Sequence, residues 1–155
     1  QQMKALEEDE GPLPYYDRLL TAAASYADTE DDHAAAAELE AIAQEIPLDE
    51  MSEAFRGLYE QLIAQVGATL AAEYYNEGYS SYQAGRYDEA IDLLQKVVFY
   101  DAQHVRAVYT LGRSYEESGD NESAISCFDR VIEQFPGTEY AGYAQSRRNN
   151  LAAGN

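Results

Sequence analysis

The 155 residues suit one domain and 46% of them are apolar, yet 10 lysine and arginine side chains face 29 aspartates and glutamates, for a formal charge of −19. A chain this acidic is repelled by phosphate backbones, which argues against nucleic acid and anionic membrane surfaces as partners. Cys127 is the only cysteine, so no intrachain disulfide is possible, and no apolar run approaches the roughly 18–20 residues of a membrane span, so no membrane insertion of this segment is expected.

The charge is uneven: residues 1–50 carry 2 basic and 14 acidic side chains. Within them, residues 1–14 (QQMKALEEDEGPLP) join a polar, acidic run to Gly11, Pro12 and Pro14 and read as a flexible acidic lead-in. The chain starts at Gln1 without a methionine, as an excised fragment would, which leaves compartment and attachment open. Leu19, Leu20, Ala22, Ala23 and Tyr26 then form a helical stripe over residues 15–27. The acidic run Asp28-Thr29-Glu30-Asp31-Asp32 follows, well placed to cap the next helix. It lacks the alternating aspartates and turn glycine of a calcium loop, so no metal is expected. A second helix over 33–46 puts Leu39, Ile42, Ala43 and Ile46 on one face and stops before Pro47.

Residues 50–70 add an extra helix with Met51, Phe55, Leu58, Tyr59, Leu62, Ile63 and Val66 at helical spacing. Continuity past Gly67 into a helix over 71–84 is favoured, since one glycine costs only about 1 kcal/mol. From there the chain repeats itself with a period of 34 residues, Gly78 with Gly112, Gly85 with Gly119, Ala90 with Ala124 and Val97 with Val131. Each period predicts a helix pair: 71–84 with 87–100, and 104–118 with 121–134. Gly85 and Gly119 suit left-handed C-terminal caps, and Asp88 suits an N-cap. An amphipathic helix over 139–152 offers Tyr140, Ala141, Ala144 and Leu151 to cover the last pair, which would otherwise face water. Cys127 lies on an apolar stripe and reads as a small buried hydrophobe.

The segments 71–104 and 105–138 resemble tetratricopeptide repeats. The likeness rests on large residues at Tyr74 and Val108, small ones at Gly78, Gly112, Ala90 and Ala124, bulky ones at Leu94 and Phe128, and Pro136 at the close of the second unit. Residues 15–49 read by phase as a degenerate repeat, with Leu19, Ala23, Tyr26, Ala35, Leu39, Ile42 and Pro47 in register. In the clear units, Ala102 replaces the usual terminal proline, and Glu77 and Ser81 replace apolar residues. The resemblance implies an all-α fold of about 7–8 helices, helix–turn–helix repeats stacked as a superhelix with a C-terminal capping helix, in a single domain over 15–155. The junction 135–141, followed by Ala144-Gln145, is similar to that of bacterial envelope proteins of the family. It implies the extracytoplasmic part of an anchored or secreted protein, with the cytoplasm as the alternative.

The resemblance further implies a non-enzymatic scaffold, without cofactor, that binds a protein or peptide in the groove lined by the first helix of each unit. On this chain that face carries Tyr75, Tyr79, Tyr82 and Gln83, then Arg106, Tyr109 and Arg113, with Tyr140, Tyr143 and Arg147 from the capping helix. Tyrosine offers an apolar face with a polar tip and arginine a fork of donors, which suits an acidic or aromatic segment. The same arginines also stand near Glu116, Glu117 and Glu139, with which they can form solvated ion pairs. Tyr75 and Tyr79 stand where the family's terminal-carboxylate clamp has lysine and asparagine, so that device is not reproduced. His33 and His104 are far apart in repeat phase and read as surface or capping residues. The alternative reading is structural: a homo-oligomer assembled through the alanines at 34–37 or the capping helix. A third has the acidic N-terminal third meeting a basic partner.

Overall fold

The helical periodicity is realised as seven α-helices, with no strand among the residues 14–154 that the computed structural model describes. They are α1 (Pro14–Asp28), α2 (Asp32–Glu45), α3 (Glu53–Gln83), α4 (Tyr87–Tyr100), α5 (Val105–Ser118), α6 (Asn121–Gln134) and α7 (Glu139–Gly154), with a 3₁₀ turn at Leu48–Glu50 before α3. The lead-in expected over 1–14 lies outside the described residues up to position 13. Pro14 opens α1, where its missing N–H costs nothing. The described residues form two compact units that divide between Leu70 and Ala71.

In the first unit Leu20, Ala23, Ala27, Ala35, Ala36, Leu39 and Ile42 are buried where α1 meets α2. The stripe of α1 thus ends on Ala27, while Tyr26 is largely exposed; Ala43 of α2 also faces solvent. Asp31 accepts from Ala34 N at 3.1 Å, so the acidic run does cap α2. Met51, Phe55, Tyr59, Leu62 and Val66 are buried at helical spacing, with Tyr16 edge-on to Phe55 at 5.8 Å. Burial, aided by Glu40, pushes the Tyr59 phenol up to about 12. Helix α3 passes Gly67 without a break, as one glycine in 31 residues allows.

The second unit shows why the 34-residue period exists. A Cβ on Gly78 would sit 3.0 Å from Leu94, and one on Gly112 would sit 2.7 Å from the Phe128 ring. Both glycines are therefore contact points where one helix of a pair touches the next. Ala90, Leu94 and Val97 of α4 are buried, as are Ala124, Phe128 and Val131 of α6. Gly119 (φ 92°) takes the left-handed C-cap of α5, and Gly85 (φ 78°) the matching position after α3. The N-cap of α4 is not Asp88 but Arg86, which provides no side-chain cap; the turn starts the helix at Tyr87 and leaves Asp88 in its first turn. Where Ala102 replaces a terminal proline, Arg130 of α6 donates to the Ala102 carbonyl at 3.1 Å and holds the junction. Ala144 of α7 is buried, and Tyr140 and Leu151 pack on the same cluster.

Candidate functional site

The tyrosines of α3 recur at 75, 79 and 82, so all three share one helical face. In α5, Arg106, Tyr109, Thr110 and Arg113 do the same. Together with Tyr140 of α7 these eight residues line a cavity of about 290 Å³. That is the size of one large side chain, near the lower limit for a small-molecule pocket.

The two helices meet in register. Arg106 lies over the Tyr75 ring at 5.2 Å and Arg113 over the Tyr82 ring at 6.0 Å. Both pairs are 31 residues apart in sequence, so each guanidinium meets a tyrosine face with the same offset. Tyr75 stacks on Tyr79 at 5.9 Å, and Tyr79 on Tyr82 at 6.3 Å. On the other side Tyr109 contacts Tyr140 at 5.5 Å and rests on Phe128 at 5.8 Å, which ties the groove to the core. Burial raises the phenols of Tyr75 and Tyr82 above their ordinary range, so both stay neutral hydroxyl groups at physiological pH.

Three residues expected on this face do not line the cavity. Gln83 is exposed at the last position of α3. Tyr143, 50% exposed, touches Tyr109 and Tyr140 from the rim, and Glu139 accepts from its hydroxyl at 3.4 Å. Arg147 is held by Glu116, with Nε donating to Oε1 at 3.0 Å and Nη2 bonded to Oε2. Conversely, the sequence reading missed Thr110, whose hydroxyl donates to the Arg106 carbonyl at 2.7 Å. Its signal was a polar residue one position beyond Tyr109 on the inner face.

His104 caps α5 and packs on the groove wall: Nδ1 accepts from Ala107 N at 3.1 Å and the ring lies 4.6 Å from Tyr75. Burial lowers its pKa, with Arg106 acting in the same direction and Asp101 opposing. A proton on Nδ1 would abolish the cap. Because the folded value lies below the unfolded one of about 6.5, stability is complete above that pH and is lost as pH falls below it. We expect the denaturation midpoint of the second unit to drop between pH 7 and 5.5. His104→Asn keeps a cap acceptor and should flatten that slope; an unchanged slope would acquit His104.

Cys127 is partly buried against Gly112, and burial pushes its thiol up to about 11, so it stays a protonated packing group at neutral pH. Among the described residues no three His, Cys, Asp or Glu side chains gather as metal ligands, and no helix is long and apolar enough to cross a membrane.

Residues 81–147 match the family model described as tetratricopeptide repeat, a span that holds six of the eight cavity residues and leaves out Tyr75 and Tyr79. Comparison with curated proteins finds no match.

Proposed function

Since residues 81–147 make this chain a tetratricopeptide repeat protein, and such repeats mediate protein–protein interactions, we propose that it is a non-enzymatic module holding a segment of a partner protein in the tyrosine-lined groove of its second unit. The observation that carries this reading is the convergence of side chains from α3, α5 and α7 on one open cavity, with the face of Tyr79 still 37% exposed. A rigid aromatic face that remains solvated when the rest of the ring cluster is packed is the kind of surface that gains most from being covered.

The test is selection of peptides from a displayed library on the purified chain, followed by fluorescence anisotropy. Tyr79→Ala, which removes an exposed ring and leaves the core intact, should weaken the selected peptides about tenfold or more, the range of an interface hot spot. Unchanged affinity would remove the groove from the reading. Light scattering of the same samples at low and high salt addresses self-association, which predicts growth in mass with concentration.

A further inference from the structure

We propose that the segment held in this groove is anchored by a single carboxylate on Arg106 beside an aromatic side chain in the tyrosine cavity, with an uncharged residue opposite Arg113. The inference rests on the groove reading above. Arg106 and Arg113 of α5 and Arg147 of α7 are not equivalent. Arg147 is engaged on both carboxylate oxygens of Glu116. Arg113 lies 3.5 Å from Glu116 and 3.5 Å from Glu117, so its charge is compensated locally. Arg106 is exposed and has no carboxylate partner among the described residues; its contact is the Tyr75 face.

That contact prepares Arg106 for an anion. The Tyr75 face holds the guanidinium carbon 5.2 Å from the ring centroid without occupying its N–H donors, which can bind a carboxylate with two parallel hydrogen bonds. The neighbouring hydroxyls do not compete: Thr110 donates to the Arg106 carbonyl, and Tyr75 is engaged with Thr110. Beside this hook, the cavity between Tyr79, Tyr109 and Tyr140 has room for one large side chain, and edge-to-face contact favours an aromatic one.

The register sets the remaining specificity. Arg106 and Arg113 are seven residues apart on one helix, roughly 10.5 Å along its axis, which an extended segment spans in about three residues. At the far end the segment meets Glu116 and Glu117, so an acid there is repelled. A highly acidic segment is further opposed by the net charge of −19. The favoured occupant therefore bears one acid, not a cluster.

The experiment pans C-terminally amidated hexapeptides, randomised except for one phenylalanine, on the full chain at moderate salt. Expected is enrichment of one aspartate or glutamate adjacent to the phenylalanine. Exchanging that acid for its amide should weaken binding about tenfold, and Arg106→Gln should do the same and erase the acid-to-amide difference. Arg113→Gln should leave that difference in place. A second arm moves the carboxylate to a free C-terminus after the phenylalanine; equal binding there assigns the preference to any carboxylate, weaker binding to a side-chain acid, and both outcomes keep the anchor. Selection of neutral peptides, or full affinity in Arg106→Gln while Tyr79→Ala abolishes binding, overturns the anchor and leaves the groove. Unchanged affinity in Tyr79→Ala overturns both.

Discussion

Phe128→Ala is expected to destabilise the second unit by about 3–5 kcal/mol, the range for deleting a fully buried aromatic side chain. Phe128 has no exposed surface, and Val108, Ala124, Val131 and Ala144 are buried in the same cluster. These residues come from α5, α6 and α7, so the cavity left behind would lie where three helices meet and could collapse only if all three moved. The ring also supports Tyr109, so the groove should lose its floor along with the core. Denaturant titration, with peptide binding measured below the transition, checks both effects. A coupled variant sharpens the cause. Gly112→Ala alone places a Cβ 2.7 Å from the Phe128 ring, which should cost more than the helix propensity it gains. In a Phe128→Leu background the same alanine should be far better tolerated. Additive effects of the two substitutions would mean that the contact between Gly112 and Phe128 does not set the spacing of the pair.

The contact between Gly112 and Phe128, and that between Gly78 and Leu94, explain why so much of the architecture was legible in the sequence. A helix pair that must approach closely needs a small residue at a fixed place, so the 34-residue period is a record of packing. The expected bounds of α4 and α6 match those found, and the others fall within one or two residues except at the start of α3, expected at 50 and found at Glu53. Local chemistry was less legible. Asp88 has the composition of an N-cap, but the backbone N–H of Arg86 is bonded to the Ser81 carbonyl at 2.9 Å, and that turn puts the N-cap at Arg86, two residues earlier. Within the groove, spacing alone put the tyrosines of α3 on one face. It could not separate Arg106 from Arg113 and Arg147, because the difference lies in Glu116, 31 residues from Arg147, and in how α7 settles on α5. Charge pairing across a stack depends on side-chain reach, which periodicity does not encode.

Glu116 is therefore the residue whose loss should change the groove most. Its side chain is 15% exposed and that of Arg147 32%, between the surface pairs worth 0–1 kcal/mol and the buried pairs whose breaking costs 3–5, so Glu116→Gln is expected to destabilise the second unit by about 2 kcal/mol. The pairing of Arg148 with Asp129 ties α7 to α6 independently of Glu116, and Ala144 remains packed, so the capping helix should stay docked while hydrogen exchange in it quickens. The same substitution frees Arg147 and leaves Arg113 with Glu117 alone, which converts the neutral end of the groove into a cationic one. Binding should then rise even as stability falls. A peptide with one acid, seated on Arg106, should gain little, whereas one with a second acid three residues further along should gain severalfold. The contrast between the two peptides is what makes the result informative. An equal gain for both would mean that the variant acts only by reducing the overall negative charge of the chain, a long-range effect that salt would screen, and that Glu116 does not neutralise the Arg113 end by local contact.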